Sequence, residues 1–311
     1  MSQSRLPHLC HSTLIRMRSV RPPRPQALIA VVKRQWRGKA WWQEAGTAAL
    51  LFGLLLLIAL GLQKLWLETP WQHTSSVGDR WSGLLQQWAS AAFVAIALLL
   101  PLSGVTLGAY AQPAAVETAD FKASLLTGLT PFELLLGRLF AQLRLPLLCW
   151  LCSLLFWSYL QRAFHPLPDV HMLAIFKAHV ALLSTLFLFA SIGCLAAGKA
   201  SPGRSITRSL IVGYLLFFLL ITDLFVFNPV LNTLQNPTDF FVALLFMNPV
   251  VAVTTPIKFD LLRTQWVYDH TSAPDYPFQY PSWLHQGLVF FGITLLLLLI
   301  AQKRCAKAYF S

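Results

Sequence analysis

Residues 172–197 carry one charged side chain, Lys177, in an otherwise apolar run. Five more such runs occupy residues 45–65, 88–110, 139–160, 210–227 and 283–301. Each is close to the roughly 20 residues that an α-helix needs to cross the hydrocarbon layer of a bilayer. No water is available there to pair with backbone groups, so a crossing segment has to satisfy them internally, and a helix is the way to do so. These runs fix the fold class as an all-α integral membrane protein with six transmembrane helices. The overall composition agrees, with 56% hydrophobic and 12% charged residues in 311, well short of the charge of an ordinary soluble domain.

The net charge of +12 is decided by placement. With the N-terminus inside and six spans, nine of the 24 lysines and arginines precede the first span. Three more fall in residues 111–144, three in residues 198–209 and three in residues 302–311. These 18 all lie on one side, and six lie on the other. Such alternation is the positive-inside pattern and puts both termini in the cytoplasm. It is not the basic stripe of a nucleic-acid groove, so no nucleic-acid partner is expected. The expected location is the plasma (inner) membrane, in contact with lipid.

Between the second and third apolar runs lies a long polar segment. Glu117, Asp120 and Ser124 are spaced to share one face of a helix, with Phe121, Leu125 and Leu126 on the other. Thr127-Gly128 suits a helix end, because glycine accepts a left-handed C-terminal cap. Thr130 then opens a second helix with Pro131 at its first position and Glu133 three residues on, a capping box. The pattern is helix, tight corner, helix, running through Gly137 and Arg138 into the next span.

This stretch, Leu125-Leu126-Thr127-Gly128-Leu129-Thr130-Pro131-Phe132-Glu133 through Gly137-Arg138, resembles the cytoplasmic coupling segment of ABC-2 type transporter permeases. Asp120-Phe121 stands where that family often has Gly-Thr, and Arg138 replaces the usual lysine. The resemblance implies a permease subunit with no catalytic chemistry of its own. It implies two partners: a cytoplasmic subunit that binds ATP and Mg²⁺, and a second permease subunit enclosing the path. The segment would seat in the ATPase, Glu117 and Asp120 would meet its basic residues, and Gly128 and Pro131 would set the corner.

The remaining chain reads as follows. Residues 1–26 read as a disordered, basic, proline-bearing tail without the apolar core of a secretory signal. In residues 27–44, Leu28, Val31, Val32 and Trp36 oppose Lys33, Arg34, Arg37 and Lys39, which suits a helix in the headgroup layer. It is similar to the elbow helix of ABC-2 permeases. The residues between the first two spans, up to Gln87, read as an outer loop with Trp66, Trp71 and Trp81 as anchors. Pro101 and Pro146 lie inside the second and third spans. An apolar piece at residues 240–253, broken by Asn248-Pro249, is too short to cross and reads as a re-entrant or interfacial helix. A seventh span there would also put the basic C-terminal tail outside, against the charge bias. Residues 302–311 read as a cytoplasmic tail.

Four further features bear on chemistry. Gly193 to Ala200 nearly spells a phosphate-binding loop, but Ala200 stands where a Ser or Thr must hold Mg²⁺, and the segment ends a span instead of following a strand. Cys149 and Cys152 form a CxxC inside a span, where two small packed thiols explain them. His165, His171 and His179 gather near the outer end of the fourth span. Interfacial packing and a copper or haem-iron site using His165 and His171 are both readings of them. Asp223 lies within the fifth span, where an acid is by default a candidate path residue. Besides a membrane enzyme or metal-handling protein using the outer histidines, two classes of function follow. One is a permease subunit, an exporter by the family's commoner direction, driven by ATP hydrolysed in a separate subunit. The other is a permease-like scaffold of a larger membrane complex without transport activity.

Overall fold

The computed structural model describes residues 75–111, 129–164, 171–197, 207–216, 248–257 and 282–310, with the helical pairs 25–26 and 29–30. All regular structure among them is helical. In chain order the elements are α1 (Ser75–Ala111), α2 (Pro131–Gln142), α3 (Arg144–Phe164), α4 (Met172–Ala197), α5 (Thr207–Leu216), α6 (Pro249–Thr254) and α7 (Ser282–Phe310). Three segments are long and apolar enough to cross a membrane: Ala92–Ala111 in α1, Met172–Ala197, and Trp283–Arg304 in α7. The bent pair α2–α3 makes a fourth if taken as one span. Of the six expected spans, the first (45–65) lies outside the described residues, and only 210–216 of the fifth is described.

α1, α4 and α7 run parallel. Phe93, midway along α1, meets His179 in the first third of α4, and a Cβ on Gly104 or Gly108 would meet Leu186 and Ala190 further along both. Between α4 and α7, Lys177 lies over Trp283, Thr185 pairs with Gln286, Phe187 meets Phe291, and Leu195 accepts from Arg304. α3 runs the other way, with Phe140 of α2 against Phe187 and Ser153 against His179. Two buried clusters stack along the bundle. At one end Phe93, Phe156, Trp157, Ile175, Leu182 and Val253 come together with α6. At the other, Ala111, Leu135, Leu139, Leu143, Ala190 and Leu298 join the ends of α1, α4 and α7 to α2.

Small residues let α1 and α4 approach closely. A Cβ on Gly104 would lie 2.9 Å from the Leu186 carbonyl oxygen, one on Gly108 would run into the Ala190 backbone, and one on Gly193 into the Val105 backbone. Gly213 of α5 sits on the Val105 side chain, and Ser209 donates to the Gly193 carbonyl at 2.9 Å. Without a hydrophobic drive between helices in lipid, such close backbone contact is a main source of association.

Two sequence expectations need correcting, and two more segments gain detail. The stretch before Gln87 is not a loop from Ser75 onward, since α1 begins there. Trp81, Leu84, Leu85 and Trp88 have helical spacing, and the helix propagates outward from the apolar run. The third span is not one straight helix over 139–160. α2 and α3 meet at Leu143 with a bend of 55°. Pro146 explains it: proline has no N–H for the Gln142 carbonyl, and its ring crowds that carbonyl. Of the 240–253 piece residues 248–253 are described, and every residue of α6 is buried in the bundle. Asn248-Pro249 is a helix start there: Asn248 accepts from the Val250 N–H at 2.9 Å, with Pro249 at the first position. Residues 302–310 of the tail are helical, continuing α7 to Phe310.

Candidate functional site

The corner at Thr130 is built by its own residues. The Thr130 N–H donates to Glu133 Oε2 at 2.7 Å, and the Glu133 N–H donates to Thr130 Oγ at 3.2 Å. The Leu134 N–H closes the first turn on the Thr130 carbonyl at 3.1 Å. Pro131 takes the first helical position, where its missing N–H costs nothing. Thr130, Pro131 and Glu133 are all buried, so this carboxylate stands at the positive end of α2 and away from water. Gly137 is buried and Arg138 half-buried on the same helix. The other residues of the predicted segment, Glu117, Asp120, Phe121, Ser124, Leu125, Thr127 and Gly128, lie outside the described residues.

What the corner touches matters more than its cap. Leu135, Leu139 and Leu143 pack from α2 and its end into one cluster with Ala111, Leu186, Ala190, Cys194, Leu298 and Ala301. α2 therefore contacts the same end of three parallel helices and leads through the Leu143 bend into α3. The corner at Thr130 thus opens a helix that bears on α1, α4 and α7 and is continuous with α3.

A second set of residues lines the interior. His179 has no exposed surface. Its Nδ1 lies 2.8 Å from the Ile175 carbonyl, so this nitrogen carries the hydrogen, and Nε2 accepts from Ser153 Oγ at 3.2 Å. Trp150 donates to the His179 carbonyl at 2.8 Å. Both ring nitrogens are thus engaged inside the protein. His171 is exposed just before α4, and His165 lies outside the described residues. Among the described residues no three His, Cys, Asp or Glu side chains are grouped as metal ligands. Lys177 stands 5.6 Å from the Trp283 ring centroid, a cation–π contact between α4 and α7. Asp223 is outside the described residues.

Cys149 and Cys152 are free thiols on α3. Gly193, the first glycine of the near-P-loop, is accounted for by its contact with Val105. Two features were missed in the sequence. Gly104 and Gly108 form a G-x-x-x-G pattern, a recognisable signal for helix pairing. Gln286 is a polar residue inside the last apolar run, and such residues in spans usually bond across helices; it donates to Thr185 at 2.9 Å. No family model, no curated protein and no solved structure matches this chain.

Proposed function

We propose that this chain is the membrane-spanning permease subunit of an ABC-2 type transporter, moving a substrate outward with ATP hydrolysed by a separate cytoplasmic subunit. The observation that carries this reading is the corner. The residues that resemble the coupling segment's second half, Thr130 to Arg138, open a capped helix packed on the shared ends of α1, α4 and α7. A segment that receives motion from an ATPase has to be stiff and has to bear on several spans. This one meets both needs.

Topology supports six spans with both termini inside. Parallel neighbours require the chain between them to return to its starting end. One return between α4 and α7 fits a fifth span beginning at α5, and a further crossing at residues 240–253 would make α7 antiparallel to α4. On this reading α6 is the buried part of a re-entrant segment. The end bearing α2 is cytoplasmic, where Lys303, Arg304 and Lys307 lie. A second permease subunit completes the path, and ATP and Mg²⁺ belong to the ATPase.

The test is a mild-detergent pull-down of the tagged protein with mass spectrometry, comparing wild type with the Glu117→Lys, Asp120→Lys double variant. An ATPase that accompanies wild type and is lost from the variant supports the reading. A fixed set of other membrane subunits, with no ATPase in either sample, overturns it in favour of a scaffold role.

A further inference from the structure

Gln286 has no exposed surface. Its amide nitrogen donates to Thr185 Oγ at 2.9 Å, and Thr185 spends its own hydrogen on the Ala181 carbonyl at 2.9 Å. That second bond orients the amide. With its hydrogen committed, the hydroxyl offers Gln286 only a lone pair, so the NH₂ group must face it and Oε1 must turn away. Gln286 Oε1 makes no hydrogen bond to any described residue, and neither does Thr294 Oγ, which is 6% exposed. Elsewhere in the interior, Ser184, Ser191 and Thr254 each return their hydrogen to a carbonyl three or four residues back. Thr294 does not. The two unpaired oxygens lie on one buried stripe of α7, about 12 Å apart along the axis, with the 2% exposed Phe290 between them.

Buried polar atoms in native proteins are met almost always by protein or by internal water, and an unmet one points to an unassigned ligand. We propose that internal water occupies the seam between α4 and α7, donating to Gln286 Oε1 and bonding Thr294 Oγ. The site takes water or any small group that donates hydrogen bonds. As a route for cargo the seam rests on the permease reading. As a hydrated site it does not, since water there is found or missing whether or not an ATPase binds.

The experiment uses thiol accessibility in a background with the five native cysteines replaced. Gln286→Cys and Thr294→Cys are compared with Leu298→Cys, buried on the same stripe, and Leu288→Cys, on the exposed apolar face. A charged thiol reagent needs the thiolate, which forms only where water reaches. Labelling at 286 and 294 about tenfold faster than at both controls is the expected result, and rates equal to the controls overturn the proposal. Should the variants not fold, radiolytic hydroxyl labelling of the wild-type protein decides. Oxidation of Phe290 with Phe93 spared supports internal water at the seam, and sparing of both rings overturns it.

Discussion

Gly108→Ala is the smallest change that tests how α1 and α4 are held. A Cβ there would lie 2.7 Å from the Ala190 carbonyl carbon and 2.8 Å from its Cα, whereas ordinary carbon contacts are about 3.5–4.0 Å. The Ala190 carbonyl oxygen is nearer still, and all three atoms are backbone, so no rotamer change relieves the clash and the helices must separate by more than about 1 Å to reach normal contact distance. Separation also loosens the contacts at Gly104 with Leu186 and at Gly193 with Val105. Overpacking of this kind costs about 2–3 kcal/mol, and at ~2–4 °C per kcal/mol it lowers the midpoint by roughly 4–12 °C. The assay is thermal unfolding in detergent, followed by tryptophan fluorescence. Gly292→Ala is the control, because a Cβ there meets nothing within 4 Å, and it should be neutral or slightly stabilising. Gly193→Ala pushes the same two helices apart, so the double variant should lose less than the sum of the single losses. A Gly108→Ala midpoint within about 1 °C of wild type, or full additivity with Gly193→Ala, would refute close backbone packing as the bond between these helices.

Three further outcomes follow from geometry already described. Thr130→Ala removes the side-chain acceptor of the Glu133 N–H and should cost about 0.5–2 kcal/mol, seen as faster amide exchange in the first turn of α2, while Thr130→Ser should restore most of it. Ser153→Ala deletes the hydroxyl that His179 accepts from; the loss should be about 0.6 kcal/mol and at most ~1.7 kcal/mol, the range for hydrogen bonds between membrane helices, measured by the same thermal assay. Pro146→Ala lets the Gln142 carbonyl regain a helical partner, so the bend should open. For spin labels at positions 136 and 158, a 55° bend gives an axial separation of ~30 Å and a straight helix ~33 Å. An unchanged distance by pulsed electron resonance would assign the bend to packing instead of proline.

What the sequence made legible was local. The fourth span reads from apolar content alone, and α4 has the expected limits, 172 and 197. The capping box at Thr130 and Glu133 is a four-residue signal that needs no distant partner, and its reciprocal hydrogen bonds are present. Features that depend on a partner far along the chain were out of reach or misread. Pro146 was visible, but the amount of bend depends on what α2 packs against at α1, α4 and α7. Asn248-Pro249 was read as a break because its surroundings are apolar. In a buried helix the same pair is the start, with the asparagine capping the first free N–H. His179 looked like one of three outer histidines until Ser153, 26 residues earlier, occupied its second nitrogen. Gln286 and Thr185 are separated by 101 residues, and no period or motif links them. Apolar runs specify which segments enter the membrane, whereas the few polar and glycine positions inside those runs specify which segments meet. In a bilayer, where lipid is as apolar as leucine, that second specification carries the pairing, and it becomes legible only when both helices are in place.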